Sequence, residues 1–539
     1  MMNKIKHFLC IFGLLFSFNI NAQTLPFNIL IEPLNIPELD GLQSYAYGQY
    51  NGKWLIIGGR IDGLHRRQPF ASFDIDGHNT LLIVIDPLSQ QKWTATLTSL
   101  SIDLQEQLKS SNMEFYQRGD YLYLLGGYGY SPSIEDHTTF SNLIAIDVPA
   151  TINAIIKNTD LTSFFRQIND SLFQVTGGEL KMINNSFYLV GGQKFTGRYN
   201  PMGPDHGPGF IQEYTNQIRK FDILDNGTTI TINHLSVSTD ETNLHRRDYN
   251  LVAQIMPNGQ QGLTAFSGVF QTNLDLPFLN CVNIDSNGYT VNNSFTQYYN
   301  HYHCAVLPLY SSLNNEMHSV FFGGIAQYFD DAGTLVQDNN VPFVKTIARV
   351  SRDANGKMAE FKFAYEMPSL LGAGSEFIAN ENLAKYSNGV IKLDEIKSDT
   401  TYVGCIFGGI NSTDANIFWV NDGTQSNANN QIFKVVLTKN STTDIHTLNE
   451  QSTGTLKIMV YPITNDKKLV IKYNLSKTTN VKFSIYTSNG KKIEDRIFKN
   501  KLAGENMYNK KLKIDGKEIY LLSIETDYEK AMQKIIIEP

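Results

Sequence analysis

Six stretches share one form and decide the fold: Trp54–Gly59 (WLIIGG), Tyr121–Gly127 (YLYLLGG), Phe187–Gly192 (FYLVGG), Gly262–Gly268 (GLTAFSG), His318–Gly324 (HSVFFGG) and Val403–Gly409 (VGCIFGG). Each is an apolar, strand-length run that ends in a pair of small residues. From the first small residue of one pair to that of the next the spacings are 68, 65, 76, 56 and 85 residues. Before most of them stands a partner run and a polar turn, as in YGQYNGK (47–53), EFYQRGD (114–120) and LKMINNS (180–186), which reads as a hairpin. After each pair come a longer polar segment and a further run, such as TLLIVIDPLSQQKW (80–93), NLIAIDVP (142–149), NQIRKFDILDNG (216–227) or QIFKVVLTKN (431–440). Each unit is therefore read as four strands. Four strands cannot bury both faces alone, so the units are expected to pack side by side and close into a ring. Glycine suits the end of an inner strand, where a Cβ would obstruct the exit turn.

These features resemble kelch repeats, in the apolar run closed by Gly-Gly and in Asp86, Pro87 and Trp93 downstream of the first pair. The resemblance covers about residues 40–440, with Ser267 in place of one first glycine and the blade tryptophan missing from most units. It implies an all-β chain, a kelch-type β-propeller of about six four-stranded blades.

The two ends differ from the repeats. Lys4 and Lys6 precede a short apolar run, Phe8–Phe18, too short for a membrane span and followed by Asn-Ile-Asn-Ala. Residues 1–22 are read as a signal peptide cleaved between Ala22 and Gln23, and no later stretch is apolar for long enough to be a transmembrane helix. Residues 23–440 form the propeller and residues 441–455 (STTDIHTLNEQSTGT) a polar linker. Residues 456–539 hold 17 Lys and Arg against 10 Asp and Glu, a net of +7 where the whole chain is −7. Short alternating runs such as VKFSIYT, EIYLLSIET and QKIIIE, with turns at Asn489-Gly490, Gly504 and Asp515-Gly516, suggest a small immunoglobulin-like β-sandwich. This segment resembles the sandwich-type C-terminal sorting domain of type IX secretion cargo, through Tyr461-Pro462, the run Ile485–Lys491, Gly504, Ile519-Tyr520 and Lys534–Ile537; Ile463 and Thr464 follow Pro462 where that family has Asn-Pro. The resemblance implies passage through the periplasm of a Gram-negative bacterium, contact with the type IX machinery, and release or attachment at the outer-membrane surface.

Three cysteines remain after the leader, Cys281, Cys304 and Cys405, each in an apolar run that suits a buried free thiol. No spacing resembles a zinc site and no cofactor is expected. The acidic propeller excludes nucleic acid as a partner. Chemistry is expected at the channel mouth, where inner strands and their loops converge. Arg60, then His65, Arg66 and Arg67 follow the first glycine pair; His245, Arg246 and Arg247 repeat the His-Arg-Arg pattern; His301 and His303 fall two apart in NHYHCAV, which on a strand puts both on one face. Such arginines suit a carboxylate or sulfate, or else pair with Asp74, Asp76 or Asp248 to tie blades together. Two functions remain open. One is a secreted or surface module binding an acidic glycan or protein at the mouth. The alternative is an enzyme of epimerase, lyase or hydrolase type on an acidic sugar, with His301 or His303 as general base.

Overall fold

The computed structural model describes residues 26–203, 209–331 and 333–439, and in the C-terminal part residue 456 and residues 458–463, 468–487, 492–511 and 518–537. The cleavage site Ala22-Gln23, the linker 441–455 and the turns at Asn489-Gly490 and Asp515-Gly516 lie outside them. The chain divides into two compact units, Met1–Asn440 and Ser441–Pro539.

In the first unit six sheets of four or more strands follow one another, beside a two-stranded one of Tyr328–Asp331 and Thr334–Gln337; the first is antiparallel and made of Ala46–Tyr50, Lys53–Ile57, Leu81–Asp86 and Gln91–Thr96 in that order. The second and third strands of each sheet are the apolar runs of the sequence, and their burial explains why those runs do not alternate. Leu55 and Ile57 pack with Leu122, Leu124 and Ile144 of the second sheet. Trp54 and Ile56, facing the opposite way, pack with Cys405 and Phe407 of the sixth. A strand covered on both faces needs apolar residues throughout. The outer strand Gln91–Thr96, half exposed, shows no such run. The same double-sided packing joins the second sheet to the third, the third to the fourth, the fourth to the fifth and the fifth to the sixth.

The small-residue pairs bind this ring together. The amide of the second residue donates to a carbonyl at the entrance of the following sheet: Gly59 to Ser110, Gly127 to Val175, Gly192 to Arg246, Gly268 to His301, Gly324 to Leu371 and Gly409 to Leu42, at 2.7–3.1 Å. The last of these leads from the sixth sheet back to the first, and the unit is a β-propeller. Glycine is required because a neighbour's backbone sits where a Cβ would be, 1.9 Å from the Val175 carbonyl at Gly126 and 2.3 Å from that of Leu42 at Gly408. At the first position of the pair the crowding comes from the next sheet; at the second it comes from the entrance and inner strand of the same sheet, as at Gly59, where a Cβ would lie 2.6 Å from the Gln43 carbonyl.

Three features depart from six identical units. The sixth sheet takes its outer strand from the N-terminus, Phe27–Leu34 pairing antiparallel with Ile432–Lys439. Two α-helices are present among the described residues, Ile102–Leu108 and Val148–Lys157. The latter starts at Asp147, whose carboxylate accepts the Ala150 amide, and buries Ile152 and Ile155 under the first two sheets. The third is a long insertion. The inner and second strands of the first three sheets are joined at Asn51-Gly52, Gly119-Asp120 and Asn184-Asn185, whereas Ala379 and Thr400 of the sixth are separated by residues 380–399.

The second unit has a three-stranded sheet, Ile458–Ile463, Lys468–Leu475 and Gly504–Lys511, and a four-stranded one built on Thr479–Thr487 and Glu518–Thr526. Ile471 and Tyr473 of the first meet Val481, Phe483, Ile485, Leu522 and Ile524 of the second in a core of their own. Among the described residues no helix is long and apolar enough to cross a membrane.

Candidate functional site

The glycine-pair loops all emerge at one end of the propeller, and the two His-Arg-Arg loops meet there. His65 lies between the rings of Phe73 and Tyr199, 5.8 and 5.1 Å from its own. Burial and then the charge of Arg247 push its pKa down to about 4, so the imidazole is neutral. Its Nδ1 is buried without a hydrogen-bond partner among the described residues. Arg247 pairs with Asp248, donates from Nε to the Tyr214 hydroxyl at 3.1 Å and lies over Phe270. Burial opposes its charge, but the surrounding phenols of Tyr214, Tyr302 and Tyr199, together with Asp248, outweigh that and hold its pKa above the usual value. Arg67 stacks on Trp419 at 4.3 Å, and Arg66 is exposed with no ion pair among the described residues. His245 stacks on Tyr214 at 3.7 Å and contacts the Asn216 side chain.

Three of the residues singled out from sequence have other work. Arg60 is 3% exposed, holds Asp62 with two hydrogen bonds of 2.7 and 2.5 Å and donates to the Asp74 carbonyl. Arg246, 1% exposed, donates to the carbonyls of Asn243, Ser267 and Asn280 and to the Asn280 side chain, stacked on Phe278 at 4.0 Å. It is turned into the protein and does not join Arg66, Arg67 and Arg247 at the mouth. His301 is fully buried, bonded through Nε2 to the Gln297 carbonyl while Nδ1 accepts the Gln327 amide. Burial lowers its pKa to about 4.

His301 and His303 do not share a strand face. The inner strand of the fifth sheet begins only at Val306, and the two histidines sit in the preceding loop with different surroundings. His303 spans the channel. Its Nδ1 is 3.1 Å from Glu179 of the third sheet and its Nε2 2.8 Å from Glu376 of the sixth, while Lys181 meets Glu179 at 2.8 Å. Burial alone would lower its pKa, but Glu376 and Glu179 raise it to about 10. An imidazolium held by two carboxylates has no free lone pair, so His303 cannot serve as the general base expected from sequence. Nearby, Glu114 accepts the Gly178 amide at 2.8 Å, and burial raises its pKa well above the carboxylate range.

Sequence reasoning missed the phenols of Tyr199, Tyr214 and Tyr302 and the two glutamates, because these lie in five different segments with no motif in common. Among the described residues no group of three His, Cys, Asp or Glu side chains could hold a metal ion. All three cysteines are buried free thiols.

No protein-family model matches the sequence, and no curated protein matches it. Similar solved structures include YjhT, 10% identical, covering 75% of this chain and 99% of that chain with a TM-score of 0.39. A glycoside hydrolase family 43 arabinoxylan arabinofuranohydrolase from Bacillus subtilis, in complex with cellotetraose, is 9% identical over 93% of this chain and 92% of that one, with a TM-score of 0.29. PorZ, a bacterial surface component of the type-IX secretion system of Porphyromonas gingivalis, is 9% identical over 94% and 99%, with a TM-score of 0.12. At these scores none lends this chain a residue correspondence or an activity.

Proposed function

We propose that the chain is an exported kelch-type propeller of six blades that binds an acidic glycan at its glycine-pair mouth. One observation carries the reading: both His-Arg-Arg loops deliver a cation to one place, Arg247 among three phenols and Arg67 on an exposed tryptophan, with Arg66 unpaired at the rim. Guanidinium and phenol donors suit a carboxylate, and aromatic faces suit sugar rings. Titrating the protein with an acidic polysaccharide tests it. Arg66→Ala and Arg67→Ala should each weaken binding about tenfold or more, the loss of a charge-assisted contact worth roughly 1.5–3 kcal/mol. Unchanged affinity in both would remove the mouth from consideration.

An enzyme acting on an acidic sugar is the second reading, favoured by the neutral His65 imidazole, half-buried at the mouth and close to the Arg247 cation. A neutral imidazole can accept a proton where the clamped His303 cannot. Turnover by the wild type that His65→Gln abolishes while binding persists would select it.

The ends of the chain belong to the same proposal. Residues 1–22 act as a signal peptide and the immunoglobulin-like sandwich of residues 456–539 as a type IX sorting domain, delivering the propeller to the outer-membrane surface or beyond. The leader pattern, the basic charge and the resemblance at Tyr461-Pro462, Gly504 and Ile519-Tyr520 support this.

A further inference from the structure

Beyond the His303 clamp, away from the mouth, the channel widens into a cavity of about 410 Å³. That volume is within the range of small-molecule sites. Its outer wall is made by the insertion at residues 380–399, which supplies Lys385 and Tyr386 to the lining. The insertion is fixed in place. Asn388 donates to the Gln254 carbonyl of the fourth sheet, Ile391–Lys392 pairs parallel to the inner strand of the fifth, and the Asp394 carboxylate receives the Ser311 and Ser312 hydroxyls and the Leu313 amide. A loop of this length anchored to two neighbouring sheets is a constructed wall, and loops so long in a compact domain commonly carry function.

Charge and shape around the cavity select a ligand. Five charged groups line it: the carboxylates Glu179 and Glu376 and the cations His303, Lys181 and Lys385. Both carboxylates are already engaged by His303, and Lys181 pairs with Glu179. Lys385 is the one cation of the lining with no carboxylate of the lining paired to it, attracted only by Glu381 outside the wall. Its only hydrogen bond among the described residues is to the Asn380 carbonyl at 3.3 Å, and the nearby Glu381 receives the Gly52 amide. The remaining wall presents the rings of Tyr47, Phe115, Phe377 and Tyr386. We infer that this chamber binds a monosaccharide-sized sugar carboxylate, with Lys385 taking the carboxylate and the aromatic rings the sugar's C–H faces. The inference is independent of the mouth site, which lies at the other end of the channel.

Isothermal titration of the full chain with D-glucuronate tests this, with D-glucose as the ring without charge and acetate as the charge without the ring. Glucuronate should bind one to one, at least tenfold more tightly than either control. Lys385→Met should cost tenfold or more, and Lys385→Arg should retain most of the affinity. Glucose binding as tightly as glucuronate, no glucuronate binding by the folded wild type, or undiminished affinity in folded Lys385→Met would each overturn the inference. If Lys385→Met fails to fold, the wild-type preference for glucuronate over glucose and acetate still decides it.

Discussion

His303 and Arg246 show how a single buried cation can be structural in two different ways. Arg246 has carbonyls and an amide oxygen for partners and no carboxylate, so its removal orphans four acceptors. His303 ties three sheets across the channel axis through two carboxylates. His303→Gln leaves Glu376 without its cation and Glu179 with Lys181 alone, and loss of one member of a buried ion pair costs about 3–5 kcal/mol. Its pH dependence is distinctive. The folded pKa of about 10 lies above the unfolded value of about 6.5, so the stabilisation is fully present below pH ~6.5 and is lost as pH rises through ~10. The melting-temperature advantage of wild type over His303→Gln should therefore shrink steadily between pH ~7 and ~10. An advantage constant across that range would show that the clamp is not protonated. Neither role was legible in the sequence, because Glu179, His303 and Glu376 belong to separate repeats and only closure of the ring brings them together.

The strand and the turn were the most legible elements. Continuous apolar runs signalled strands covered on both faces, and the recurring small pair marked where each sheet meets the next. The reason for the pair was legible only in part, since the atoms obstructing its first residue belong to a neighbouring unit's backbone. Comparing Gly52 with Gly408 separates backbone strain from that obstruction. Both have φ of +74°, but nothing lies within 4 Å of a Cβ at Gly52, while the Leu42 carbonyl lies 2.3 Å from one at Gly408. Gly52→Ala should cost only the left-handed strain, about 1–2 kcal/mol. Gly408→Ala must also displace the Leu42 carbonyl from its 2.9 Å bond to the Gly409 amide, the link between the sixth and first sheets. Chemical denaturation should show the second variant to be clearly less stable; equal losses would mean that the contact yields without cost. The insertion at 380–399 gave no such signal, because its anchors are side chains and a two-residue bridge.

At the scale of the molecule, the sequence conveyed repetition but not how the ring is closed. The run Phe27–Leu34 (FNILIEPL) looks like any short strand, and its partner is some 400 residues away. It covers the edge of Ile432–Lys439 and buries Phe27 and Ile29 completely or nearly so, at 0% and 1% exposure, in the core between the fifth and sixth sheets. Each such side chain contributes about 1.5–3 kcal/mol, and an uncovered strand edge invites pairing between molecules. The C-terminal unit has a core of its own, with Ile471, Tyr473, Phe483 and Leu522 in it. Two deletions should then behave oppositely. Removing residues 27–34 should abolish the cooperative melting of the propeller and promote aggregation. Removing residues 456–539 should leave the propeller's melting transition in place but strand the protein in the periplasm, because what is lost is the proposed sorting signal and not a part of the ring. Calorimetry of the purified variants together with cell fractionation reads both effects. Surface delivery of the chain lacking 456–539 would refute its role in export, and a lowered propeller transition in that chain would show that the ring's stability depends on the C-terminal unit.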